Sequence, residues 1–209
     1  MFLEQFLAEY GHRGAELPEI AGRYAGKSLV VCGDAAGVWF DLERFGCAAH
    51  AIRGRVEKPG WHFMTINKLI EVFPGNVEHA YSNEPSLLQK FIAARRSEYA
   101  REFDGPRHTH SCNQGAKWKW PWGGFGTSAL GAAIVGVGLG YDQIVLCGIP
   151  LDDGPHNGEP PWRRCAFTNE AANSGKSEIN AYWKRARDLA FHGRVKSMSG
   201  RTKDWLGCP

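Results

Sequence analysis

Residues 127–148 read TSALGAAIVGVGLGYDQIVLCG, and they carry the clearest secondary-structure signal in the chain. The hydroxyl side chains of Thr127 and Ser128 are typical of a helix start, and an apolar run over 129–139 follows them. The glycine after this run is a common helix end. Residues 143–147 (QIVLC) are apolar after the first residue and partly β-branched, which favours a strand. The stretch therefore predicts a helix, a tight turn and a buried strand.

A second unit of this kind lies near the start of the sequence. Residues 28–32 (SLVVC) predict a buried strand, residues 33–37 (GDAAG) a glycine-bounded turn, and residues 38–45 a helix. Continuous apolar strands are typical of the centre of a parallel sheet, because both of their faces are buried. We therefore expect 28–32 and 143–147 to be central strands. Further strands are predicted over 62–66, 77–81, 107–112 and 195–198, and further helices over 1–24, 84–101 and 177–190.

This alternation predicts an α/β fold class: a Rossmann-like three-layer domain with a mainly parallel central sheet. The chain has 209 residues, of which 43% are hydrophobic and 22% charged, and this suits a single domain over 1–209. Residues 153–175 carry scattered proline, glycine and asparagine, and they predict a long loop that serves as a lid.

Charge and cysteine usage narrow the class of ligand and the compartment. The net charge of +3 suits a small phosphate-bearing ligand and falls short of what a duplex-DNA binder shows. The six cysteines form no C-x-x-C pair, so we interpret them as reduced, structural thiols. The first residues lack a signal-peptide pattern, and the longest apolar segment, 129–139, is too short to span a bilayer. A cytoplasmic protein without membrane contact is expected.

Parallel sheets bind ligands outside the carboxyl ends of their strands. This rule predicts one cleft that contains Gly33, Asn67, Ser128 and Gly148. Backbone N–H groups at a helix start, together with the positive end of the helix dipole, attract anions. A phosphate group is therefore expected beside the helix start, although Thr127 and Ser128 also suit a simple helix cap.

Acidic residues and a histidine follow the strand over 143–147. Asp152 and Asp153 form a carboxylate pair that could hold Mg²⁺ or a ribose hydroxyl. His156 is a candidate general base, because imidazole exchanges protons near neutral pH. A solvated turn is the alternative interpretation of this segment.

Three further groups of residues suggest chemistry less directly. Arg201 lies in a segment rich in hydroxyl and basic groups, which suits phosphate, an acidic sugar or a solvated tail. His108 and His110 share a strand face, where packing is favoured over metal binding. Tryptophans that stack on sugars or pack a core crowd into one stretch: Trp118, Trp120 and Trp122.

The segment over 126–150 resembles a signature of bacterial sialyltransferases: a Thr-Ser-Gly helix, Leu-Gly-Tyr, a strand and Gly-Ile-Asp. Motility-accessory-factor and hydroxymethylpterin pyrophosphokinase-like families share that signature. The loop at Gly33 resembles their Gly-Asn-Gly-Pro-Ser loop, and Asn67 falls where they place a second-strand asparagine. The ending Ser-Met-Ser-Gly-Arg-Thr…Leu-Gly-x-Pro is similar to that of uncharacterised tailed-phage proteins. Ala129 and Pro150 depart from the glycine and the aspartate of the signature, and Asp34-Ala-Ala replaces Asn-Gly-Pro.

In the sialyltransferases these loops hold a cytidine nucleotide sugar. The resemblance therefore implies a nucleotide or nucleotide sugar as the donor ligand. It also implies a set of ligand-binding residues: Gly33, Asp34, Asn67, Thr127, Ser128 and Gly148.

Three functions are consistent with these features. The first is a glycosyltransferase-like transferase with a nucleotide-activated donor, in which Asp152 or His156 acts in catalysis, Arg201 contributes to binding and the tryptophans line the acceptor side. The second is a pyrophosphokinase-like enzyme that uses ATP and Mg²⁺, with Asp152 and Asp153 as metal ligands. The third is a non-enzymatic phage accessory or virion-associated protein in the host cytoplasm, which the proline at 150 favours.

Overall fold

The computed structural model describes residues 2–9, 12–50, 55–110, 116–121, 127–152, 154–159 and 170–209. Its helices are α1 (Phe2–Glu9), α2 (Val38–Arg44), α3 (Leu69–Val72), α4 (Pro85–Tyr99), α5 (Ser128–Gly138), α6 (Glu170–Ala186) and α7 (Gly200–Leu206), and a π-helical turn (Arg187–Phe191) extends α6. Its strands are β1 (Ser28–Cys32), β2 (Ala48–His50), β3 (Arg55–Glu57), β4 (Trp61–Ile66), β5 (His79–Tyr81), β6 (Arg107–Thr109), β7 (Trp118–Lys119), β8 (Gln143–Cys147) and β9 (Val195–Ser197).

The main sheet has seven strands in the order β7-β6-β5-β4-β1-β8-β9, and every neighbouring pair is parallel. The strands β2 and β3 form a separate antiparallel pair. From β1 the chain builds outward through β4 to β7, and it then crosses back to place β8 on the other side of β1. The boundary between β1 and β8 is therefore the topological switch point of a doubly wound sheet. The predicted fold class and the two central strands are confirmed.

Side chains alternate between two cores along the central strand. Leu29 and Val31 pack on one face with the apolar side of α5. Val30 packs on the other face with Leu42 of α2. Because successive strand residues point to opposite faces, this double burial requires a helical layer on each side of the sheet. The protein is accordingly a three-layer α/β fold.

The glycines within α5 bring this helix unusually near to the sheet. A Cβ atom at Gly131 would collide with the hydroxyl of Tyr81, and one at Gly136 would lie 3.0 Å from side-chain atoms of Ile144 and Leu29. Almost all of α5 is buried, so the loss of helix propensity is offset by contact with the sheet. This helix starts at the carboxyl edge of the sheet and thereby positions the site described below.

A chain of buried hydrogen bonds crosses the sheet. The indole N–H of Trp120 donates to His108 Nδ1 at 3.1 Å, and His108 Nε2 lies 3.1 Å from His79 Nδ1. His79 Nε2 and His62 Nδ1 lie 2.7 Å and 2.8 Å from the hydroxyl of Tyr141. Because an indole can only donate, neutral His108 donates from Nε2 to His79, and neutral His79 donates from Nε2 to the hydroxyl of Tyr141. Burial lowers the pKa of His79 to about 2 and that of His108 to about 3, so both rings are neutral.

The predicted packing role of His108 and His110 is therefore seen. His108 is buried and belongs to this chain of hydrogen bonds. His110 is half-buried, and its Nδ1 lies 2.7 Å from the hydroxyl of Tyr81.

Several predicted boundaries are wrong. The helix predicted over 1–24 ends at Glu9, and residues 12–27 form turns in which Gly14 and Gly22 take positive φ angles that interrupt a helix. The loop predicted over 153–175 is helical from Glu170 onward. Its residues 153 and 160–169 lie outside the described part of the chain.

Other elements were not predicted or were misplaced. The predicted strand over 107–112 covers only Arg107–Thr109 among the described residues, and the helix predicted over 177–190 begins earlier. Five short elements, each of seven residues or fewer, were not predicted: β2, β3, β7, α3 and α7. None of the helices in the described ranges has a stretch long and hydrophobic enough to reach across a lipid bilayer.

Candidate functional site

A cleft of about 360 Å³ opens at the carboxyl ends of the strands, at the switch point between β1 and β8. We call it the switch-point cleft. Loops after β1, β4, β5 and β8 line it together with the start of α5: residues 33–35, 66–67, 83–84, 127–129, 148–152 and 154–156. The predicted convergence of Gly33, Asn67, Ser128 and Gly148 is confirmed, and their role in binding stays a prediction.

Two glycines let the ends of β1 and β8 meet at the floor of this cleft. A Cβ atom at Gly33 would lie 2.5 Å from the carbonyl oxygen of Gly148, and one at Gly148 would lie 2.6 Å from that of Gly33. Gly148 also has a φ angle of +65°, which disfavours any other residue. The floor is therefore backbone, and a ligand can approach it closely.

Replacing Gly33 by Ala is expected to lower the free energy of unfolding by about 2–3 kcal/mol, because the added methyl group has no space against rigid backbone. Gly37→Ala is the matched control, since a Cβ atom there meets nothing within 4 Å. Urea unfolding of both variants measures the difference. Equal stabilities would contradict the close approach of β1 and β8.

The start of α5 offers unpaired donors to the cleft. Thr127 is extended and its Oγ1 accepts a hydrogen bond from the N–H of Leu130 at 3.2 Å, so Thr127 is the cap and Ser128 is the first helical residue. Among the described residues, the N–H groups of Ser128 and Ala129 have no acceptor. Such groups, aligned with the helix dipole, form a site for an anion.

Asn67 takes a left-handed conformation with φ of +51°, which asparagine tolerates better than most residues. Its N–H donates to the carbonyl of Tyr81 at 3.0 Å, and its Oδ1 accepts from the hydroxyl of Ser82 at 2.9 Å. The side-chain amide is therefore fixed in orientation. Its NH₂ group has no acceptor among the residues that the structure describes, so it can donate to a ligand.

Asp34 is the titratable group most changed by the cleft. Burial raises the pKa of Asp34 to about 6, and the nearby charges of His156 and Lys68 limit the increase. The loop is held in place because the Asp34 carbonyl accepts from the N–H of Asn157 at 2.7 Å and Ala35 forms an antiparallel bridge with His156. A carboxylate with a pKa just below neutral is well suited to accept a proton.

Asp152 and His156 also line the cleft, but both are exposed. Asp152 Oδ1 accepts from the N–H of Gly154 at 2.9 Å, which stabilises a tight turn. The turn anticipated as the alternative is thus present, and it places the carboxylate at the cleft rim. Asp153 lies outside the described residues.

Two predicted contacts are not found at the cleft. The side chain of Arg201 is exposed and does not line the cleft, because Arg201 is anchored by its backbone N–H to the carbonyl of Pro150 at 2.9 Å. Trp120 is completely buried in the hydrogen-bond chain, and Trp118 packs against the core. Complete burial rules out an acceptor contact by Trp120, so that part of the prediction is wrong. Trp118 does not line the cleft, and Trp122 lies outside the described residues.

Asn83 and Glu84 line the cleft and were missed. They directly follow β5, so the rule that identified the other loops could have found them. Among the described lining residues Asp34, Glu84 and Asp152 are acidic and none is lysine or arginine. No group of three or more histidine, cysteine, aspartate or glutamate side chains in the described ranges is placed to hold a metal ion.

Comparison with known proteins finds no family model that matches the chain, and no curated protein or solved structure that is significantly similar to it.

Proposed function

We propose that this protein is a transferase that uses a nucleotide-activated donor, and that it transfers a glycosyl group. The observation that carries the proposal is the cleft itself: strand-end loops and the start of a buried helix converge at the switch point of a parallel sheet. Nucleotides bind at this position in doubly wound folds. A volume of about 360 Å³ is in the range of small-molecule sites.

The donor phosphates lie beside the N–H groups of Ser128 and Ala129 in this proposal. Those groups are fixed before the ligand arrives, so they stabilise negative charge on the leaving phosphate without reorganisation. Asn67 donates from its amide to the nucleotide, and the glycine floor lets the ligand lie against the backbone.

Asp34 acts as the general base. An acceptor hydroxyl attacks the anomeric carbon of the donor, and its proton passes to the Asp34 carboxylate. The bond from the anomeric carbon to the phosphate oxygen breaks, and its electron pair leaves with the nucleotide. Asp152 and His156, at the rim, orient the acceptor rather than accept the proton.

The acidic lining favours a second candidate, transfer of diphosphate from ATP. A lining whose described residues include three carboxylates and no lysine or arginine suits a nucleotide that enters with Mg²⁺. A strict Mg²⁺ requirement together with a preference for ATP over cytidine nucleotides would favour this candidate over glycosyl transfer.

Substitutions at Ser128 test the phosphate site without removing the cap. Ser128→Ala removes only the hydroxyl, and Ser128→Pro removes the N–H as well. Proline is tolerated at the first helical position, and the extended Thr127 before it is compatible with proline. We expect Ser128→Ala to weaken binding of CMP about tenfold and Ser128→Pro to weaken it about tenfold more, because a charge-assisted hydrogen bond contributes about 1.5–3 kcal/mol.

Calorimetric titration with CMP, CTP and ATP measures these affinities. Thr127→Ala is the matched control for stability, and it should lower the free energy of unfolding by about 1 kcal/mol through loss of the cap. If Ser128→Pro binds every nucleotide as tightly as the unchanged protein, the helix start is not a phosphate site.

A further inference from the structure

A second groove, of about 420 Å³, adjoins the switch-point cleft. We call it the basic groove, because Arg44 of α2 and Lys203 of α7 line it. The two sites share one wall, formed by Ala35, Gly148, Pro150, Asp152, Gly154 and Pro155. A ligand in the basic groove is therefore separated from the cleft only by this wall.

The lining of the basic groove contains two cations, Arg44 and Lys203, and two carboxylates, Asp41 and Asp152, whereas the described lining of the cleft contains no lysine or arginine. Neither Arg44 nor Lys203 forms an ion pair with a described residue. The buried carboxylate of Asp41 lies in the floor of the groove, where its Oδ2 accepts from the N–H of Gly148 at 2.8 Å and the hydroxyl of Ser199 at 2.6 Å. These hydrogen bonds hold the Asp41 carboxylate in the floor of the groove. Arg44 and Lys203 remain available to bind an anion.

An aromatic face completes the groove. Phe40 is 61% exposed, the highest value for a large hydrophobic side chain in the described part of the chain. The guanidinium carbon of Arg44, one helical turn later, lies 5.5 Å from the centre of the Phe40 ring. A flat apolar ring beside a guanidinium suits a sugar ring that carries an acidic group.

The wall of the groove is rigid on the α7 side. Gly200 takes a φ angle of +61°, and a Cβ atom there would lie 2.5 Å from Cα of Pro150. The N–H of Arg201 donates to the carbonyl of Pro150 at 2.9 Å. These contacts fix the start of α7, and with it Lys203, against the shared wall.

We propose that the basic groove binds the acceptor of the transfer reaction and that this acceptor is a saccharide bearing a carboxylate or a phosphate. The inference rests on the proposed function, since it names the acceptor for the donor held in the cleft. The acidic group pairs with Arg44 and Lys203, and the sugar ring stacks on Phe40. Ala35, which lines both sites and follows Asp34 in sequence, brings an acceptor hydroxyl toward the proposed base.

Saturation-transfer NMR and calorimetric titration test the groove with three probes: glucuronic acid, glucose 6-phosphate and glucose. We expect at least one of the two acidic sugars to bind about tenfold more tightly than glucose, with saturation transferred to its ring protons. The acidic sugar with the higher affinity identifies whether the acceptor carries a carboxylate or a phosphate. The double variant Arg44→Gln/Lys203→Gln should weaken that binding about tenfold or more, and Phe40→Ala should reduce the saturation of the sugar ring protons.

Lys90→Gln, at an exposed position of α4, is the matched control and should change nothing. Glucose binding as tightly as both acidic sugars, or a double variant that binds them unchanged, would overturn the inference. A CMP titration of the same proteins separates the two proposals. CMP binding without acidic-sugar binding overturns the acceptor inference alone, and absence of CMP binding in the unchanged protein counts against the proposed function.

Discussion

Replacing Asp34 by Asn is expected to lower kcat of the transfer reaction by about 10²–10⁴-fold, the contribution typical of a general base. The change keeps the size of the side chain and its place in the cleft but removes its ability to accept a proton. In the unchanged protein, kcat/KM should rise with pH through about 6, since the pKa of Asp34 lies there and the carboxylate is the active form. The variant should lose that rising limb.

The same substitution is expected to stabilise the protein. Burial raises the pKa of Asp34 from 3.8 to about 6, so the folded state disfavours the charged form and stability decreases as pH rises from about 4 to 6. Two pKa units correspond to about 3 kcal/mol, and partial exposure to solvent reduces this to about 1–2 kcal/mol at pH 7. Asp34→Asn removes that penalty, and urea unfolding at pH 7 should show the gain.

Asp152→Asn is the matched control, because Asp152 is an exposed carboxylate on the same cleft. Because Asp152 is proposed only to orient the acceptor, Asp152→Asn should raise KM for the acceptor and leave the pH profile of kcat/KM in place. If Asp152→Asn abolishes turnover and Asp34→Asn does not, Asp152 is the base and the present assignment is wrong. If Asp34→Asn gains stability and no nucleotide or sugar substrate is turned over by either protein, the non-enzymatic accessory role becomes the better account.

The sheet could be predicted from the sequence because its signals are local and strong. The strands over 28–32 and 143–147 are apolar enough to require burial on both faces. This requirement places them at the centre of the sheet independently of the other strands. The short elements could not be predicted in this way. A pair such as β2 and β3, with three residues in each strand, depends on contacts between strands rather than on its own composition.

The location of the cleft was predictable from topology, and the chemistry within it was less so. Residues at strand ends meet whatever their type, so Gly33, Asn67 and Gly148 followed from the strand-end rule. The near-neutral pKa of Asp34 depends on how far the loop over 154–157 covers it, and the sequence does not encode that packing in any short pattern. The basic groove likewise joins α2 with α7, helices more than 150 residues apart in sequence.

The buried histidines give the largest expected effect on stability. His79 and His108 are neutral inside the sheet, with pKa values of about 2 and about 3 against an ordinary value of 6.5. Below pH 6.5 the unfolded chain binds a proton at each histidine that the folded protein excludes. Their contribution to stability is therefore complete above pH 6.5, and it is lost progressively as the pH falls toward 3.

Lowering the pH from 7 to 5 is expected to decrease the free energy of unfolding by about 4 kcal/mol, about 2 kcal/mol for each histidine. Protonation would also place two cations 3.1 Å apart and disrupt the donor order that the indole of Trp120 imposes, so the folded protein cannot accept protons on these rings.

Urea unfolding at pH 7, 6 and 5 measures this loss of stability. The measurement is made on the Asp34→Asn variant, because Asp34 has the opposite effect on the pH dependence. In NMR spectra, the chemical shifts of the ring protons of His79 and His108 should stay constant down to pH 4. A titration of either ring above pH 5 would contradict the assignment of both histidines as neutral in the hydrogen-bond chain.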